Sequence, residues 1–202
     1  VAGVERLIRD FPAVSVGIHF DLTVGTPVCP PEQIPDLVDQ DGQLLGPAFA
    51  AKAMAGRISH EQMVRELTAQ AEVLTGCGVR LSHWDSHQNQ HLRPPFFLAA
   101  VEVATPFGIE RMRTHDHYLF SVRPRRRLRA VGHLLTHPRR ALVYTASSVL
   151  MRRARRRGMR MADRLISPGI LDGARKYHRE FWLELLQRLP EGVSEVYCHP
   201  GH

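Results

Sequence analysis

The chain has 202 residues, enough for one sizeable hydrophobic core and not for two. At 44% hydrophobic and 23% charged it has a globular composition, with no apolar run of the roughly 18 residues a membrane span needs and no secretory leader pattern at its start. The formal charge is +7, and three widely spaced cysteines, Cys29, Cys77 and Cys198, speak against a disulfide frame or a CxxC zinc site and for reduced thiols in a cytoplasmic protein.

The first residues, VAGVERLIRD, read as helical. Val14 to Leu22, VSVGIHFDL, is β-rich and partly alternating, and GTP follows as a turn. CPPEQIPDLVDQDGQ is a Pro-rich connection with an Asp-Gly turn. Ser59 and Gln62 fit a capping box, and Met63, Leu67, Ala71 and Leu74 recur on one face of the helix that follows. Gly76 and Gly78 end that helix. Val79 to Trp84 is the next predicted strand, and DSHQNQH is the loop at its end. Pro94 and Pro95 open a helix through FFLAAVEVA, because proline is tolerated in a first turn. Gly108 closes it, and IERMRTH reads as a short strand. Tyr177 to Leu189 is an amphipathic helix carrying Phe181, Leu185 and Leu189. Ser194 to Cys198 is a last strand that leads into HPGH. Strands that alternate with helices predict an α/β fold with a mainly parallel sheet, open or closed into a barrel.

Three histidines fall at three predicted strand ends. His19 ends VSVGIH, His87 lies just past VRLSHW, and His199 lies just past SEVYC. In parallel α/β folds the C-terminal strand ends share one face, which holds the active site. A single histidine at a strand end is more often structural than a ligand. The stretch WDSHQNQH, however, packs one Asp, two His and one Asn into eight residues, a dense set of ligand types. Neutral imidazoles suit Zn²⁺ and similar ions, and a catalytic zinc takes three protein ligands and keeps one position for water. His19 and His87 supply two of these, and a carboxylate is expected as the third. Asp85 is expected to act in the catalytic group by orienting His87, as acceptor for a ring N–H. Pro200 would hold His199 rigid.

SVGIHFDLTVGTPV, LSHWDSHQNQHLRP and EVYCHPGH together resemble motifs of the YdjC-like carbohydrate deacetylases, the ChbG/HpnK family. The resemblance runs over nearly the whole chain, in order. It implies a single domain over 1–202: a distorted (β/α) barrel that removes N-acetyl groups from sugars with a divalent metal, Zn or Mg. It implies that His19 of G-x-H-x-x-L-T and His87 of D-S-H are metal ligands. It places His199 of C-H-P in the active site as acid or oxyanion partner, and Arg113 as a substrate contact. The family opens with an N-A-D-D-F-G strand end that supplies the third ligand and the base, and nothing here matches it. The barrel is therefore expected to be truncated at both ends, with the third ligand upstream of Val1. Where the family reads D-S-H-x-H-x-H, this chain has Asn89, which can bond a sugar hydroxyl or acetyl oxygen but cannot serve as acid or base. Asn89 and His91 are assigned to substrate binding. As a metal ligand, His91 ranks below His87.

The positive charge is concentrated at about 123–164, which holds 14 arginines against one acid, Asp163. The expectation is a helix packed on the barrel with a solvated Arg face; the functional reading is a basic amphipathic helix on the inner face of an anionic membrane. Nucleic acid is disfavoured as partner, because no aromatic interleaving or named binding motif accompanies the basic run. The expected partners are an acetylated amino sugar or glycolipid, that membrane face and, for a homodimer, a second copy. The competing function is a basic membrane- or RNA-associating α/β protein with a decayed or incomplete metal site. A Cys198–His199 nucleophile pair is set aside, because adjacent strand residues point to opposite faces.

Overall fold

Two β-rich segments far apart in sequence lie side by side. In the computed structural model, β1 (Val16–Phe20) and β2 (Leu81–Ser86) run parallel, with Ile18 opposite Trp84, His19 opposite Asp85 and Phe20 opposite Ser86. Residues 2–123 and 125–197 are described, and the chain divides into two compact units, 1–112 and 113–202.

In the first unit, α1 (Ala2–Asp10) precedes β1, and α2 (Ala48–Met54), α3 (His60–Gly76) and α4 (Pro94–Ala104) pack around the strand pair. Alternation buries Ile18 and Phe20 of β1, whereas in β2 the register shifts between Leu81 and Trp84, three residues apart, and both are buried. Trp84 sits 6.0 Å from Phe20 and 6.5 Å from Phe97 between ring centroids, so β1, β2 and α4 meet in one aromatic cluster. Met63, Leu67 and Ala71 form the buried stripe of α3, as their spacing predicts. Ser59 caps α3 by accepting from Gln62 N, but the box is not reciprocal. The Gln62 amide and Ser59 N–H both go to Asp36, a carboxylate that can serve two donors at once. Gly78, at φ +81°, gives the left-handed turn between α3 and β2.

The second unit contains α5 (Arg126–Thr136), α6 (Pro138–Arg156), β3 (Arg164–Ile166), α7 (Arg179–Gln187) and β4 (Ser194–Val196). Its core gathers Phe120, Val122, Ile166, Phe181 and Leu185, and β3 and β4 pair in parallel. α7 buries Phe181 and Leu185 but leaves Leu189 exposed beyond its end.

The α/β class with parallel strands is the one expected, and the described strands form two parallel pairs without closing into a barrel. IERMRTH does not make a strand of its own. It yields one bridge, Met112 to Trp84, in the first unit, and His117 makes another, to Leu165, in the second. Side chains take the hydrogen bonds a ladder would need: Thr114 N donates to Glu195, and Asp116 N to the Thr114 hydroxyl.

Candidate functional site

Parallel pairing puts His19 directly opposite Asp85, and their side chains meet: His19 Nδ1 lies 2.6 Å from Asp85 Oδ1. An ionised carboxylate only accepts, so Nδ1 is the donor, and in the neutral ring the lone pair is on Nε2. The Asp85 side chain is 13% exposed and the His19 ring 52%, so the anchor is sheltered and the imidazole reaches outward. Asp85 was expected to orient His87; its 2.6 Å bond is to His19 across the strands. His87 begins the turn after β2, and its ring meets that of His19 edge to face at 5.7 Å. The two histidines read from separate motifs thus meet at the same end of the parallel strand pair, beside Asp85.

The turn His87–Leu92 is unusual. Gln88 and Asn89 both adopt left-handed backbone, at φ +48° and +56°, where side chains larger than glycine are disfavoured. Both are exposed, which leaves Asn89, two residues after His87, presented to solvent. What fixes the turn is below it. His91 is completely buried, its Nδ1 is 2.5 Å from Ser86 Oγ, and its N–H donates to the same oxygen at 2.9 Å. Its ring packs edge to face on Trp84 at 5.8 Å. His91, assigned to substrate from sequence, lies inside the fold under the turn. Ser86 and Trp84, which hold it, were not singled out from sequence; the signal was a Ser and an aromatic flanking a ligand-rich loop.

Asp21, the nearest carboxylate along β1, is committed to its own turn. Its Oδ1 accepts from Thr23 N, Thr23 Oγ1 and Val24 N. Glu66 is fully buried and accepts from Val28 N, Cys29 N and Gln70. Burial, then the charge of Glu66, pushes the Cys29 thiol up to about 11. Both acids therefore support backbone. Among the described residues no group of three or more His, Cys, Asp and Glu is placed to hold a metal, and His19 and His87 meet as a ring pair.

In the second unit Arg113 Nε bonds Glu195 at 2.9 Å, and its guanidinium lies over the Tyr197 ring. Glu195 and Tyr197 immediately precede Cys198 and His199, which lie outside the described residues together with the rest of HPGH. The partner of Arg113 was not read from sequence; its carboxylate sits 82 positions away.

A family model described as YdjC-like protein matches residues 2–202. The chain is 26% identical over 198 residues to a carbohydrate deacetylase of Geobacillus stearothermophilus, covering 98% of this chain and 62% of that protein. It is 32% identical over 125 residues to a chitooligosaccharide deacetylase of Yersinia pestis (strain Pestoides F), covering 59% of this chain and 48% of that one. The chain thus spans about half to three fifths of these relatives. A crystal structure from Enterococcus faecalis V583, of a proposed cellobiose-phosphate cleavage protein, superposes with a TM-score of 0.63 at 21% identity, over 98% of this chain and 65% of that chain. That likeness supports the fold alone.

Proposed function

The chain belongs to the YdjC-like protein family, and from that premise we propose that it serves hydrolysis of the N-acetyl group on an amino sugar, with a divalent metal held by His19 and His87. The observation that carries the metal reading is the Asp85–His19 hydrogen bond beside His87. A histidine whose second nitrogen is held by a carboxylate is the usual form of an imidazole ligand, oriented and made more basic. Two imidazoles fit zinc better than magnesium, which prefers oxygen donors and retains its waters. A divalent ion in such a site polarises an amide carbonyl and lowers the pKa of water toward about 7.

The chain's own residues do the remaining work. Asp85 keeps the proton on His19 Nδ1 and fixes the ring. Asn89, exposed on its left-handed turn, offers an amide to a sugar hydroxyl or to the acetyl oxygen. His199 is assigned the proton delivered to the leaving amine as the amide C–N bond breaks and acetate departs. Arg113, a substrate contact by the resemblance, is paired with Glu195. The relatives' names, carbohydrate deacetylase and chitooligosaccharide deacetylase, support an oligosaccharide substrate, and a glycolipid is the finer alternative.

The test is acetate release from chitobiose, an N-acetylglucosaminyl lipid and a simple N-acetyl amino sugar. It is run on the longest reading frame that contains this chain, with and without chelator, beside His19→Ala and His87→Ala. The expected result is chelator-sensitive release lost in both variants. Release that ignores chelator, or zinc bound equally well by both variants, would overturn the reading.

A further inference from the structure

The arginines at 123–164 fall into two groups once the helices are in place. Arg126 donates to Leu119 O and lies over the Tyr118 ring, Arg129 donates to Leu171 O, and Arg155 pairs with Asp116 at 2.5 Å. These hold α5 and α6 to the second unit. The inner stripe of α6 is Ser147, Met151 and Ala154, all buried. The opposite stripe runs Arg139, Leu142, Ala146, Val149, Arg153 and Arg156, all exposed and spaced to fall on one helix face. α5 carries an exposed apolar row of its own, with Leu128 and Leu135 at i, i+7. Leu128 is 67% exposed, Leu135 76% and Leu142 73%, high values for a residue type that is usually buried. A solvated Arg face does not require bare leucines between the arginines.

From this face we propose that α5 and α6 dock on an anionic lipid bilayer surface. Leu128, Leu135, Leu142 and Val149 enter the interfacial layer, and Arg139, Arg153 and Arg156 meet lipid phosphates. Aliphatic residues flanked by cations match an interface that is apolar below and anionic above. Nucleic acid fits less well, because bases are bound by aromatic stacking and polar edges, and no aromatic is in the stripe. No helix among the described residues is long and apolar enough to cross a membrane, so the contact is one of lying on the surface.

The test is co-sedimentation of the whole chain with vesicles of phosphatidylcholine alone and of phosphatidylcholine with one third phosphatidylglycerol. Binding is expected only to the anionic vesicles, weakening as salt rises. The double variant Leu135→Ser/Leu142→Ser removes apolar contact without changing charge, and should lower vesicle affinity by at least about tenfold. Arg139→Gln/Arg153→Gln/Arg156→Gln should abolish the preference for anionic lipid. A tryptophan placed by L135W should shift its emission to the blue with anionic vesicles alone. All these positions are exposed, and circular dichroism confirms that each variant stays folded. Three results would overturn the proposal: no partition into anionic vesicles, equal binding by the double serine variant, or a dimer in lipid-free solution that the serine variant disperses.

Discussion

Asp85 decides which nitrogen of His19 faces outward, so one carboxylate governs the donor quality of a residue 66 positions away. Replacing it by Asn leaves the shape and removes the charge. Asp85→Asn is therefore expected to lower zinc affinity about 10–100-fold with little change in thermal stability, read by competition with a chromophoric chelator. Gly17, two residues before His19, is another point where one atom matters. A Cβ there would lie 2.4 Å from His83 Nε2, and the His83 ring is held by Ser82 Oγ at 2.8 Å. His83 is exposed and can turn away, so Gly17→Ala should cost only about 1 kcal/mol in urea unfolding. Adding His83→Ala should recover most of that loss.

At the scale of elements, the site depends on how β2 hands over to its turn. Ser86 ends the strand and holds both the ring and the N–H of His91. Ser86→Ala leaves two buried polar groups without that oxygen and should destabilise the first unit by about 1–3 kcal/mol, measured by urea unfolding. What could be read from sequence was local: the cap and stripe of α3, the prolines that open α4, Phe181 and Leu185 but not Leu189 of α7, and His19 and His87 at strand ends. What could not be read depends on register or on a distant side chain. Asp and Ser have low strand preference, so the strand read at Val79–Trp84 lies two residues ahead of the observed Leu81–Ser86, and the Asp85–His19 pairing is hidden with the two residues it omits. Asp36 entering the α3 cap and Glu195 meeting Arg113 are equally non-local. α2, opening on Pro47 without a side-chain cap, carries no start signal strong enough to separate it from the Pro-rich connection before it.

At the scale of the whole molecule, the positive charge concentrates in the second unit, which also holds a half-buried histidine with a lowered pKa. His117 packs on the Tyr144 ring at 4.5 Å, and burial lowers its pKa below the ordinary 6.5, only partly opposed by Asp116. A depressed histidine favours the folded state while neutral. That stability is complete above 6.5 and is lost as pH falls through the lowered value. Thermal melting should therefore drop between pH 7.5 and 5.5, and His117→Phe should flatten the drop. The pairing of β1 with β2 has a consequence of another kind. Bringing His19 to Asp85 closes a loop of 66 positions, at an entropic cost of about 4 kcal/mol. A slip of one residue in that pairing turns His19 to the opposite side of the sheet. The donor pair can therefore form only in a chain that has completed its long-range assembly, so zinc uptake would report correct alignment of the strands, and a misaligned chain would give no signal.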